Sequence, residues 1–177
     1  REILVREGGD RVLGAVIEPV FARTGRAVPP AFWEPLKELL DEHGVPLVAL
    51  ENATAGFRSG RGMWRSDTLP VEVDATWWYP GGQLGLVFLG ERVWVDKKLT
   101  LISTWEGDEL SLARLALELR WAIRADLAGT ARRLEAALSP LGPVHGEGLY
   151  RTVETSHGAS RQAALARQGV QVGLTEQ

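Results

Sequence analysis

The chain has 177 residues, 45% of them apolar and 24% charged. That is globular composition, and a chain of this length buries roughly 70% of its unfolded surface without a disulfide or metal staple. Twenty basic against 23 acidic side chains leave a formal charge of −3, and there is no cysteine. The electrostatic footprint of a nucleic-acid binder is missing, and a disulfide framework, a thiolate metal site and a cysteine nucleophile are all excluded.

In chain order the pattern is an alternation of strands and helices followed by a mostly helical tail. Val12 to Glu18 is a short apolar run rich in β-branched residues and closed by Pro19, which reads as a buried strand. Residues 19–30 carry the proline and glycine punctuation of a loop. Ala31 to His43 reads as a helix with Phe32, Leu36, Leu39 and Leu40 on one face and Gly44 as its stop. Leu47 to Leu50 is again a buried strand, and strand–helix–strand at this spacing is a βαβ unit with a parallel sheet and a right-handed crossover.

Residues 52–70 read as loop. Strands are expected at Asp74 to Trp78 and Leu84 to Leu89, joined by Pro80-Gly81-Gly82, with one more short strand at Val93 to Val95. From Asp108 the spacing is helical for about thirty residues, with Gly129 marking a kink between two helices. Ser139-Pro140-Leu141-Gly142-Pro143 ends it. Residues 147–154 and 170–174 are strand-like and 159–168 helix-like, a small α+β unit cut short. The longest strongly apolar stretch, Leu84 to Gly90, is far below the ~20 residues a membrane helix needs, and no charged leader with an apolar core opens the chain. The expectation is a cytoplasmic protein without membrane or nucleic-acid partners. With Arg1 first and Met63 the sole methionine, the chain is expected to be part of something longer.

Single motifs say little. Pro80 to Gly85 could offer backbone N–H groups to a phosphate, but it lacks a Walker lysine and reads more simply as a turn. Ser103 with Glu106 fits a helix capping box. His43, His145 and His157 lie far apart with no metal-ligand spacing, so no metal is expected. The only lysines are Lys37, Lys97 and Lys98. Lys37 falls on the polar face of its helix, and the other two sit together past a strand end. Trp77, Trp78 and Tyr79 are consecutive, so strand alternation sends neighbours to opposite faces. A pocket lined by Trp77, Trp78 and Trp105 would suit capture of a small molecule without chemistry.

The order of motifs is more informative. Glu18-Pro19-Val20, Val28-Pro29-Pro30, Leu36-Lys37-Glu38-Leu39 and Asp41-Glu42-His43-Gly44-Val45 precede a buried strand. Then come Leu50-Glu51-Asn52-Ala53-Thr54-Ala55, Arg58-Ser59-Gly60, Thr104 with Gly107, and His145-Gly146-Glu147-Gly148-Leu149. This series resembles the class III (ornithine or GABA type) aminotransferases, which are pyridoxal-phosphate enzymes of fold type I. The resemblance is collinear over nearly the whole chain, but lacks the family's amino-terminal half, with its phosphate loop and ring-stacking aromatic, and its carboxy-terminal end.

The fold the resemblance implies is α/β: part of a fold type I large domain, mostly parallel and three-layered, followed by a truncated small α+β domain. Its implied divisions are 1–107 for the large-domain half, 108–138 for a long interdomain helix region and 139–177 for the small domain. The resemblance also implies where the chemistry is altered. Leu50 stands at the place of the aspartate that pairs with the pyridine nitrogen, and Tyr79 at the place of the Schiff-base lysine. An alkyl chain cannot stabilise a pyridinium, and a phenol cannot form an imine. The positions implied for cofactor contact are Glu51, Asn52 and Thr104, the last reaching a neighbouring subunit's site in the family's dimers. Those implied for substrate contact are Glu18 and Trp78. The resulting expectation is a catalytically silent scaffold or interaction module, binding no cofactor alone and pairing as a homodimer or with a partner aminotransferase-like chain. The alternative is part of an active enzyme completed elsewhere, with pyridoxal 5'-phosphate as its cofactor.

Overall fold

The computed structural model describes residues 2–97 and 108–175. Four strands form one sheet in the order β1 (Ala15–Ile17), β2 (Leu47–Leu50), β3 (Ala75–Gly81), β4 (Leu84–Leu89). The first three are parallel, and β4 returns antiparallel to β3. The fold class is the α/β, mostly parallel arrangement expected from the sequence.

The crossover from β1 to β2 is α2 (Pro30–Glu42), which starts on a proline suited to the first helical turn. Its inward residues are Trp33 and Leu40, not the expected Phe32, which is exposed. Both sets satisfy a 3.6-residue period. The larger indole takes the core and packs with Val28, Val45 and Leu47. A short helix that the sequence reading missed, α1 (Glu2–Glu7), adds Leu4 to the same cluster.

Register fixes which residues share a sheet face, because side chains alternate along each strand. Ala15 pairs with Leu47, Ile17 with Ala49, Ala49 with Thr76, and Trp78 with Leu86, so these lie on one face. On that side α2 and the segment Leu69–Val73 cover β1 and β2, while α3 (Glu109–Ala122) brings Leu115 against Trp78 and Leu84. A second helical layer, on the opposite face, is not among the described residues.

The expected strand at Val93–Val95 is instead a turn of 3₁₀ helix over Glu91–Val93, and 170–174 forms no strand. The helical region is two helices, α3 and α4 (Leu127–Leu138), and the break lies at residues 123–126 instead of Gly129. Asp126 is the N-cap of α4, its Oδ1 accepting the Gly129 N–H at 2.8 Å. A Cβ at Gly129 would meet that carboxylate, which would have to shift.

The chain continues into a hairpin, β5 (Val144–Glu147) and β6 (Tyr150–Val153), and then α5 (Gly158–Ala166). The hairpin is fastened to loops that follow β1 and β2. Arg65 Nε donates to Glu147 at 2.7 Å, Thr152 Oγ1 donates to the Thr24 carbonyl at 2.8 Å, and the Leu149 N–H donates to the Arg58 carbonyl at 2.7 Å. No helix among the described residues is long and apolar enough to cross a membrane.

Candidate functional site

In open α/β sheets ligands sit beyond the carboxyl ends of the parallel strands. Glu18 follows β1, Glu51 and Asn52 follow β2, and Tyr79 lies in the last part of β3. The fold thus gathers these sequence-predicted positions at one edge.

What each side chain does there is largely structural. Glu51 is fully buried. Its carboxylate accepts from Thr54 Oγ1 at 2.7 Å, from the Arg65 N–H at 2.9 Å and from the Ser66 N–H at 2.7 Å. A buried carboxylate holding three donors closes the 52–66 loop. Asn52 Oδ1 accepts the Tyr79 N–H at 2.7 Å, and its backbone carbonyl accepts from the Arg58 guanidinium at 3.0 Å. Glu18 Oε2 accepts the Ala22 N–H at 3.2 Å, capping the loop after β1. Tyr150 donates its hydroxyl to the Ala22 carbonyl. Burial, and then the nearby Glu18 charge, push the Tyr150 phenol above its ordinary value.

Leu50 pairs in register with Trp77, both on the face opposite to α2. Tyr79 is exposed, with its hydroxyl donated to the Gly82 carbonyl. Trp78, expected at a substrate, is core. It is buried, and Trp64 meets it edge-on with ring centroids 5.6 Å apart. Trp77 and Trp78 face opposite sides of the sheet, and Trp105, the third member of the expected tryptophan pocket, lies outside the described residues. Thr104, Lys98 and the Ser103–Glu106 box also lie outside the described residues. The hollow of about 670 Å³ beside β3 and β4 is lined instead by Trp64, Ser66, Asp67, Leu69, Phe88 and Leu89.

The glycine-rich segment is a hairpin turn whose polar groups are taken. Gly81 and Gly82 both have positive φ, the Gln83 N–H donates to Ser111 Oγ at 3.3 Å, and Arg114 donates to the Gly81 carbonyl at 2.9 Å. Asp108 accepts from the Ser111 hydroxyl, which holds its carboxyl below the usual range. Lys37 is committed at the other end of the sheet, 2.6 Å from Asp41 and 3.9 Å from Asp74, just before β3. No group of three potential metal ligands occurs among the described residues. Arg58, in the Arg58-Ser59-Gly60 motif read from the sequence, ties the loop to Asn52, while sequence reasoning missed Arg65, which ties it to Glu147.

No family model matches the chain. Over 62 residues, 34% of its length, it is 39% identical to glutamate-1-semialdehyde 2,1-aminomutase of Syntrophobacter fumaroxidans, of which that stretch spans 14%. Solved structures match almost all of it. A taurine:2-oxoglutarate aminotransferase from Bifidobacterium kashiwanohense, determined with PLP and glutamate, superposes with a TM-score of 0.75 at 20% identity, covering 97% of this chain and 47% of that one. An (S)-enantioselective omega-transaminase from Thermomicrobium roseum gives 0.77 at 23%, covering 98% and 46%. The ornithine delta-aminotransferase of Plasmodium falciparum gives 0.71 at 21%, covering 99% and 51%. The chain therefore has the fold of a pyridoxal-phosphate-dependent transferase of type I, as in the class III aminotransferases, and spans about half the length of these structures.

The groups gathered at the strand ends do not fit pyridoxal phosphate. Leu50 offers no acceptor for a ring nitrogen, and Tyr79 presents a phenol already bonded to Gly82. No amine follows β3 before the turn.

Proposed function

We propose that this chain is an aminotransferase-type half-module that does not carry out transamination by itself and acts by association, as a scaffold or interaction unit of a larger protein or complex. The observation that carries the reading is the pair Leu50 and Trp77 in register at the strand ends, with the phenol of Tyr79 two residues on. The electron-sink chemistry of pyridoxal phosphate requires a carboxylate and an amine, and an alkyl chain and a phenol supply neither. The reading expects no cofactor held by this chain alone.

The test is to mix the purified chain with pyridoxal phosphate, reduce with borohydride and map any adduct by mass spectrometry. The expected result is no lysine carrying the reduced vitamin. A stoichiometric adduct on Lys97 or Lys98 overturns the reading. The second reading, a portion of an active aminotransferase completed by other sequence or another subunit, is supported by the chain's spanning only about half of the matching structures. It predicts cofactor binding and amino-donor turnover by the complete assembly.

A further inference from the structure

The hollow of about 670 Å³ lies where β3 begins and β4 ends, at the end of the sheet away from Glu51, Asn52 and Tyr79. Thr76 and Phe88, paired across the two strands, share the sheet face on which it opens. Residues between Trp64 and Asp74 form the rest of its wall. Its volume is that of a small-molecule site.

Two buried hydroxyls open into it. Ser66 and Thr76 both line the hollow, each is 8% exposed, and neither hydroxyl has a hydrogen-bond partner among the described residues. Nor is either oxygen sealed off, because the only such atom among the described residues is Trp78 Nε1. Buried polar groups are almost always paired, so two unpaired hydroxyls facing one hollow are places for a ligand's polar group.

The charge of the wall narrows that group. Asp67, Glu72 and Asp74 line the hollow, and no basic side chain does. Asp74 is already committed: it accepts the Leu47 N–H at 2.8 Å and has Arg92 at 3.4 Å and Lys37 at 3.9 Å. Asp67 and Glu72 have no hydrogen bond or ion pair among the described residues. An anion is therefore repelled. A bare metal ion does not suit the place either, since no group of three potential ligands occurs among the described residues and much of the wall is apolar. Trp64 and Phe88 meet with ring centroids 4.8 Å apart, and Phe88 is 48% exposed. Aromatic faces attract cations and pack against alkyl chains. An ammonium brings N–H donors and no acceptor, which is the complement of hydroxyl and carboxylate oxygens.

We propose that this hollow binds a small alkylammonium ligand, its N–H groups donating to the Ser66 and Thr76 hydroxyls, its charge facing Asp67 and Glu72, and its alkyl stem lying against Trp64, Phe88 and Leu69. The proposal goes beyond the association reading and needs neither cofactor nor partner.

The full-length protein carrying these residues is titrated calorimetrically with three probes. They are n-butylammonium, n-butanol as its uncharged counterpart, and tetramethylammonium, which has the charge without an N–H. The expected result is saturable binding of one butylammonium, at least about tenfold tighter than either other probe. Asp67→Asn combined with Glu72→Gln, two exposed positions whose change leaves the core untouched, should weaken it at least about tenfold. Thr76→Val, which keeps the side chain's shape, should weaken it about threefold or more. No saturation below about 10 mM butylammonium overturns the proposal. So does n-butanol or tetramethylammonium binding as tightly, or binding that the carboxylate variant leaves intact, which would place the amine elsewhere in the protein. The borohydride experiment reads none of these outcomes, so the two proposals fail independently.

Discussion

The side-chain carbonyl of Asn52 accepts the backbone N–H of Tyr79 at 2.7 Å, joining the second residue after β2 to the last part of β3. The Glu51 N–H, one residue earlier, donates to the Trp77 carbonyl at 2.7 Å. The pair extends the β2–β3 ladder past its regular end and uses a side chain where the main chain has diverged. Asn52→Ala removes an accepting group from a partly open site, so a loss of about 1 kcal/mol is expected by urea unfolding. Unchanged stability would show that water replaces the amide.

Glu51 is the more demanding position. Its carboxylate holds the N–H groups of Arg65 and Ser66 in a buried setting. Glu51→Ala leaves both donors unpaired, at about 1–3 kcal/mol each, so a loss of at least ~2 kcal/mol is expected. The same variant should speed proteolysis within residues 52–66. A variant as stable as the parent would mean that the loop is closed by other contacts.

Tyr150 makes the alkaline side of the stability profile specific. Burial first, then the Glu18 charge, raise its phenol, so the folded state favours the neutral form more than the unfolded chain does. Stability from this group is complete below the unfolded value near 10 and is lost as pH rises through the higher folded value. Tyr150→Phe lacks that component as well as the bond to the Ala22 carbonyl. The parent's advantage over the variant in chemical unfolding should therefore be constant near pH 8 and shrink above about pH 10. An advantage that grows with pH would reverse the sign of the argument.

How far the sequence discloses this molecule depends on whether local pattern or distant packing decides. Leu47–Leu50 and Leu84–Leu89 are legible to the residue because each is an unbroken apolar run between turn signals. The inward face of α2 was not, since Phe32 and Trp33 satisfy the helical period equally and the core settles the tie. The same holds for the break before α4, where Gly129 is conspicuous but Asp126 sets the cap. At the site, Leu50 and Tyr79 announce altered chemistry by residue type alone. The work of Glu51 is invisible in one dimension, because its donors at Arg65 and Ser66 lie 14 and 15 residues away and are main-chain groups that any residue carries.

Gly148 illustrates how firmly the hairpin is seated. A Cβ at this position would run into the Arg58 carbonyl and the Ser59 backbone, and its φ of +55° already disfavours other residues. Together with the Arg65–Glu147 ion pair, this contact gives β5 and β6 a route to the sheet that bypasses α3 and α4. A pull on the carboxy-terminal end would therefore load the turn after β2 directly, and the two helices would act as a slack tether instead of a lever.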